Sequence, residues 1–214
     1  MNKKIIRYIL SKILYIEAGF LLLPIIVSLI YKEDISNILS FLATIILLLL
    51  SGYVIGHKAD GSGAFYEKEG FVIVALSWIL LSAFGSLPFI FSGSIPSFID
   101  AFFETSSGFT TTGASILTDV EALSHSILFW RSFTHLIGGM GILVFALAIL
   151  PRSNRHSHIM KAEVPGPVFG KLVAKMSYTA RILYKIYFAM TGILIIVLIL
   201  AGHPVFDSFI HAFG

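Results

Sequence analysis

The residues best placed to do chemistry form a single run, Gly108-Phe109-Thr110-Thr111-Thr112-Gly113-Ala114. An extended Thr/Gly segment presents backbone carbonyls and threonine hydroxyls without adding fixed charge. A ring of such oxygens can replace the water shell of a dehydrated alkali cation. Gly113 can take a backbone conformation that a Cβ resists, which lets successive carbonyls turn toward one axis. Thr111, Thr112 and Gly113 are therefore the candidate ion-binding residues read from the run itself. Taken alone, Thr-Thr-Thr-Gly signals only a polar turn, and its setting decides what it means.

That setting is a stretch from Pro96 to Ser115, too short and too polar to cross a bilayer, lying between two long apolar segments. Irregular backbone at membrane depth is tolerated only where protein buries it or where it lines a water-filled cavity. The stretch therefore reads as a pore loop, a short helix entering the membrane and an extended run leaving it. Pro96 suits the first turn of that helix, and Ser94 and Ser97 are candidates for capping it. Ile99, Phe102 and Phe103 recur at helical spacing and can pack against neighbouring spans. The partially negative C-terminal end falls near Gly108, where it favours a cation.

The rest of the chain must hold this loop. With 57% apolar and 13% charged residues, the composition is that of an all-α polytopic membrane protein rather than a soluble domain. Cysteine is absent, which excludes a disulfide framework and thiolate metal sites. The basic N-terminus leads into an apolar run without a small-residue cleavage site, so the first span is expected to be retained. Stretches long enough to span the bilayer are Ile13–Tyr31, Ile35–Ile55, Gly70–Phe91, Ser124–Leu150 and Ile182–Ala201.

Charge placement orients them. With the N-terminus cytoplasmic, Lys3, Lys4, Arg7, Lys12, Lys58, Lys68, Arg152, Arg155, Lys161, Lys171, Lys175, Arg181 and Lys185 all fall inside, leaving Lys32 and Arg131 for the other face. This agrees with the positive-inside rule and opens the pore loop to the outside. Glu33, Asp34, Asp100, Glu104, Asp119, Glu121 and Asp207 fall on that outer side, where a mouth of one sign concentrates cations. For Glu33 and Asp34 an ordinary solvated loop role is an equal alternative.

An internal echo supports a repeat. Asp100, Ala101 and Phe102 align with Asp207, Ser208 and Phe209 in the segment that follows the fifth span, the mark of a recurring unit. The chain thus reads as one complete helix–pore loop–helix repeat, potassium-channel-like, plus the start of a second. Its divisions fall at 1–60 (a leading helix pair), 61–150 (the first repeat with its filter), 151–181 (a cytoplasmic loop) and 182–214 (the first helix and partial pore helix of the second repeat).

Several further residues carry a function set against a plainer role. Gly138, Gly139 and Gly141 lie in the fourth span, where small residues let backbones approach closely; packing against the pore helix is preferred over a gating hinge. Arg131 and His135 are polar groups within or near the outer end of that span. Glu104 is the expected partner of Arg131, bracing the filter from behind, against the alternative that Arg131 snorkels to the surface. Gly108 belongs to the same support. Glu17 reads as interfacial. Arg152, Arg155, His156, His158 and Lys161 can contact anionic lipid heads or a cytoplasmic protein, while two histidines without a third ligand are weak evidence for a metal. Pro165-Gly166-Pro167 marks a rigid turn. Nothing in that loop resembles a nucleotide-binding fingerprint, and nothing calls for nucleic acid.

The run Phe102-Phe103-Glu104 through Gly108 to Ala114, the run Trp130-Arg131-Ser132-Phe133 with Gly138-Gly139-Met140-Gly141, and Ala162-Glu163 with Pro165-Gly166-Pro167 resemble the Trk/Ktr/HKT superfamily of potassium-uptake proteins, in particular its TrkH/TrkG-type membrane subunits. The resemblance covers the chain from Gly70 onward, and the leading helix pair also suits that type. It implies four helix–loop–helix repeats around one pseudo-fourfold axis, an ion-coordinating filter at Thr111, Thr112 and Gly113 with Thr110 and Ala114 flanking, potassium (K+) as the transported ion with no organic cofactor in this chain, and no enzymatic activity. It further implies a homodimer in the bacterial cytoplasmic (inner) membrane, in contact with membrane lipid and regulated by a cytoplasmic nucleotide-binding subunit of the TrkA-like kind. A single glycine in the loop suggests looser selectivity over sodium than a potassium channel has. One loop cannot encircle an ion, so the remaining C-terminal repeats are expected from the same polypeptide; the alternatives are a homo-oligomeric cation channel, or a membrane enzyme built on His125, His135 or the 156–158 pair.

Overall fold

Asn2 opens the first helix, its side chain accepting from the Lys4 and Ile5 N–H groups at 3.2 and 3.4 Å. In the computed structural model, which describes residues 2–61, 67–139, 141 and 173–214, helix α1 runs Lys3–Phe20. Its residues Ile5, Ile9, Ile13 and Leu14 are buried along one stripe. The chain bends at Leu21 and continues as α2, Leu22–Ile30, because Pro24 has no N–H to offer the Phe20 carbonyl. Together they form one membrane-length unit, Lys3–Ile30.

This start corrects the expected first span at Ile13. The basic residues before it lie on the helix because they find partners there. The Arg7 guanidinium donates to the carbonyls of Val54, Ile55 and His57, and the Lys12 ammonium lies 5.6 and 5.8 Å from the Tyr8 and Tyr15 ring centroids. The earlier start also moves Glu17, expected at an interface, to the middle of the span, where it is 1% exposed.

Helix α3, Ile35–Gly56, packs on α1. It buries Phe41, Thr44 and Leu48 and turns Leu39, Ile46, Leu50 and Val54 outward, an apolar outer face suited to lipid. Arg7 satisfies carbonyls that this helix leaves without partners at its C-terminal end. Helix α4, Glu67–Gly85, is followed by the short α5, Leu87–Phe91. The break between them follows from Pro88, and the Phe89 N–H turns to the Ser86 carbonyl. The Gly85 carbonyl accepts instead from the Trp130 indole at 2.8 Å.

Helix α6 is the short pore-loop helix, Phe98–Phe109. Ser97 caps it, accepting from the Asp100 N–H at 3.4 Å, so Pro96 lies before the cap rather than in the first turn where it was expected. Helix α7 runs His125–Gly138, α8 Val173–Leu200 and α9 Val205–Phe213. Helices α6 and α9 begin at residues 98 and 205, the same offset that aligns Asp100 with Asp207.

All described elements are helices, and among the described residues four units are long and apolar enough to cross a membrane: Lys3–Ile30, Ile35–Gly56, Lys68–Phe91 and Arg181–Leu200. The protein is a multi-pass membrane protein. The expected unbroken span Ser124–Leu150 is different: α7 ends at Gly138, Gly139 turns, and Gly141 has a φ of 68°. Met140 and residues 142–172, with Arg152, Arg155, His156, His158, Lys161, Ala162, Glu163 and Pro165-Gly166-Pro167, lie outside the described residues. Helix α6 is held between α4 and α7, which in turn rest on α1 and α2. Phe109, at the end of α6, meets Trp78 of α4 and Trp130 of α7 edge-on, each at 6.4 Å.

Candidate functional site

The Thr/Gly run begins as the cap of α6. The Thr111 N–H donates to Gly108 O and the Thr112 N–H to Ser107 O, both at 2.9 Å. This paired pattern closes a helix on a left-handed residue. That residue is Thr111, with a φ of 54°, where a glycine is usual and a β-branched side chain is strained. Its hydroxyl donates to Thr110 O at 2.7 Å, and the Thr110 hydroxyl donates to Ser106 O at 2.7 Å and lies 2.8 Å from the Thr112 hydroxyl. The hydroxyls of Thr110 and Thr111 thus act as struts. Gly113 follows at a φ of 73°, with open space where a Cβ would stand. Residues from Thr110 to Ile116 are exposed.

Behind the run sits Glu104, one turn back on α6 and buried. Arg131 Nε of α7 donates to its Oε1 at 2.6 Å, with the two side chains 15% and 1% exposed. Ser115 Oγ lies 2.9 and 3.1 Å from the two carboxylate oxygens, and the Ile116 N–H donates to Oε2 at 3.0 Å. One carboxylate therefore joins the helix before the Thr/Gly run, the chain leaving it, and α7. The sequence pairs Glu104 with Arg131 by charge alone; Ser115 and Ile116 carry no comparable signal beyond lying 11 and 12 residues away.

Helices α6 and α7 cross at their C-terminal ends almost backbone to backbone. A Cβ on Gly138 would stand 2.2 Å from the Phe109 carbonyl oxygen, and one on Gly108 would stand 2.0 Å from Thr134 Oγ1. A larger residue in place of Gly138 meets backbone and cannot enter without moving a helix, whereas one in place of Gly108 must displace the Thr134 side chain. Gly139 lies instead against the Tyr187 hydroxyl of α8. Tyr187 donates to Leu136 O at 3.2 Å and Tyr184 to Gly141 O at 3.3 Å, so the next repeat holds the end of α7. A cavity of about 360 Å³ lies beside the run, lined by Thr111, Gly113, Arg131, His135, Tyr187 and Phe213.

A model of the TrkH family, described as a cation transport protein, matches residues 37–213. The chain belongs to this family. It is a transporter family, not an enzyme family. The chain is 38% identical over 218 residues to a Trk system potassium uptake protein TrkH of Salmonella typhimurium, covering 100% of this chain and 45% of that protein. It is 32% identical over 213 residues to the Trk system potassium uptake protein TrkG of Escherichia coli, covering 97% and 43%. The crystal structure of the potassium transporter TrkH from Vibrio parahaemolyticus superposes with a TM-score of 0.80 at 33% identity, over 100% of this chain and 42% of that one. The chain spans less than half the length of these relatives.

Within this TrkH-family fold, one contact joins residues that the sequence leaves apart. Glu33, in the turn after α2, accepts from the Ser126 N–H at 3.0 Å, from the Ser126 hydroxyl, and from Asn37 Nδ2 at 3.1 Å. A carboxylate at the positive end of α7 is favourable. Burial pushes the Glu33 carboxyl up, but the hydrogen bonds from Ser126 and Asn37 outweigh it and hold the group below its ordinary value of 4.5. His125 stacks on Tyr31 at 4.0 Å, and Phe206 meets both rings. His135 Nδ1 lies 3.1 Å from Arg131 O. Neither histidine belongs to a metal-binding cluster among the described residues.

Proposed function

We propose that this chain forms part of a membrane transporter that takes up potassium, and that it supplies one segment of the ion filter. In this reading Thr111, Thr112 and Gly113 present carbonyls to the ion, with Thr110 and Ala114 flanking. The observation that carries it is the capped end of α6: a left-handed threonine and a left-handed glycine alternate along an exposed run, at the negative end of a helix whose C-terminal half is largely buried. Alternating handedness turns successive carbonyls toward one side, the arrangement that replaces water around a bare cation.

The ion sheds water at the mouth, passes the carbonyls of this and equivalent segments, and is rehydrated beyond them. No bond is made or broken. Glu104 and Arg131 carry no role as ligands here; buried behind the run, they fix the spacing of its two ends, while Gly108 and Gly138 lock α6 to α7. The names of the relatives, potassium uptake proteins of the Trk system, support potassium as the ion. The single Gly113 supports weaker rejection of sodium. A filter needs several such loops around one axis, and we place the others in further repeats of the same protein.

The distribution of Lys and Arg supports a cytoplasmic N-terminus and an outward-facing mouth in a bacterial cytoplasmic membrane. Assembly as a homodimer with a cytoplasmic nucleotide-binding subunit follows the family resemblance. The test is growth on limiting potassium of cells that lack their own uptake systems and carry the complete coding frame. Rescue by the native protein and its loss with Gly113→Asp are the results expected; rescue unaffected by Gly113→Asp would remove the filter assignment.

A further inference from the structure

Among the described residues, Glu17 is the one carboxyl at mid-span that the transport reading does not use. It lies in the middle of Lys3–Ile30 and is buried. Both its carboxyl oxygens lack a hydrogen-bond partner among the described residues, and neither ion pair found there involves it. Its surroundings are the kinked end of α4 and the back of α6. A Cβ on Gly85 would stand 3.1 Å from Glu17 Oε1, 3.0 Å from Thr105 Cγ2 and 3.2 Å from Phe109 Cε2. The carboxyl therefore packs at the place where span and pore-loop helix meet.

The two polar groups placed beside it are committed elsewhere. The Thr105 hydroxyl donates to Ala101 O and the Gly85 carbonyl accepts from Trp130. Charged and titratable groups on the packed elements are also engaged away from it. On α4, Glu69 accepts from the Asn2 N–H at the start of α1. On α6, Glu104 holds Arg131 and Asp100 is exposed near the N-terminal end. On α3, Tyr53 is exposed. Beyond α2, Tyr31 stacks on His125 and Glu33 binds Ser126. On α1 itself, Lys12 lies over Tyr8 and Tyr15.

An ionised carboxylate left dry without a donor or a counter-charge is among the costliest groups a protein can hold, and neutralisation is the usual escape. We propose that Glu17 is a proton-binding site behind the pore-loop helix, occupied at neutral pH, and hence a site for covalent modification by apolar carbodiimides. In that modification the acid proton passes to a carbodiimide nitrogen and the carboxyl oxygen adds to the central carbon. The O-acylisourea then rearranges to a stable N-acylurea, with no leaving group and no redox change. The inference rests on the fold and not on the filter assignment.

The test uses the complete protein in native membranes or detergent. Dicyclohexylcarbodiimide followed by peptide mass spectrometry is expected to place an adduct on Glu17, whereas a water-soluble carbodiimide modifies exposed Asp100, Asp119 and Glu121 and spares it. Infrared spectra at neutral pH are expected to show the carbonyl stretch of an isolated carboxylic acid, lost in Glu17→Gln. An unmodified Glu17 after the apolar reagent overturns the proposal, as does a Glu17-dependent band in the carboxylate region at neutral pH. The labelling arm needs no variant, so misfolding of Glu17→Gln leaves a decisive result.

Discussion

Arg131 meets Glu104 at 2.6 Å across the α6/α7 contact, and the same carboxylate takes Ser115 Oγ and the Ile116 N–H. The pair is thus part of a three-way junction. Removing either partner of a buried ion pair costs about 3–5 kcal/mol, so Glu104→Gln and Arg131→Gln are each expected to lower thermal stability and ion uptake. The double reversal, Glu104→Arg with Arg131→Glu, restores the pair but faces Ser115 and Ile116 with a guanidinium that cannot accept their hydrogen bonds. Stability is expected to recover further than uptake. Equal recovery of both, in melting and tracer-flux measurements, would show that the contacts to Ser115 and Ile116 are incidental.

Gly138→Ala places a methyl 2.2 Å from the backbone oxygen of Phe109, and a carbonyl cannot swing aside as a side-chain tip can. The variant is expected to reach the membrane and to lose most ion uptake. Gly192→Ala, where nothing lies within 4 Å, is the matched control and should retain it.

Thr111 holds a left-handed conformation that costs an L-residue about 1–2 kcal/mol relative to glycine. Thr111→Gly relieves that strain and removes the hydroxyl bonded to Thr110 O. A melting temperature at or above the native one, together with altered ion discrimination, is the expected signature of strain kept for function. Lower stability with unchanged discrimination would contradict it.

Trp130→Phe keeps most of the packing against Phe109 and removes the indole donor to Gly85 O. A buried carbonyl left without its partner costs about 1–3 kcal/mol. Thermal unfolding in detergent should show a loss of that order, whereas an unchanged melting temperature would mean that another donor reaches the kink.

Glu33 titrates lower in the folded protein than its ordinary 4.5. The sign follows directly: its stabilising contribution is fully present above the unfolded value and is lost as pH falls through the lowered, folded value. Acid unfolding below about pH 4.5 should therefore be steeper in the native protein than in Glu33→Gln or Ser126→Ala. Identical acid limbs in all three would dissociate this contact from stability.

The parts of the site that could be read from sequence are those written in neighbouring residues or in charge. The Thr/Gly run announces itself by its setting between spans, and Glu104 and Arg131 are the charged residues at membrane depth that must find each other. The contact of Glu33 with Ser126 is not legible because it bridges 93 positions, and no local pattern ties a turn carboxylate to a distant helix start. Glu17 reads as interfacial from sequence because Arg7 and Lys12 look like loop residues, whereas carbonyls of α3 and tyrosine rings receive them on the helix. The end of α7 at Gly138 was equally hidden. Glycines in an apolar stretch allow a continuous helix or a break, and the Tyr184 and Tyr187 hydroxyls that hold the break come from the next repeat.

The backbone at Gly113 is proposed to face the ion, and the ratio of potassium to sodium uptake reports on that placement. Gly113→Ala meets no steric obstacle but disfavours the φ of 73°, so it shifts carbonyls without disturbing the packing around them. In the complete transporter at matched membrane levels, a changed potassium-to-sodium ratio and reduced potassium flux are expected. Native flux with a native ratio in Gly113→Ala would remove Gly113 from the filter.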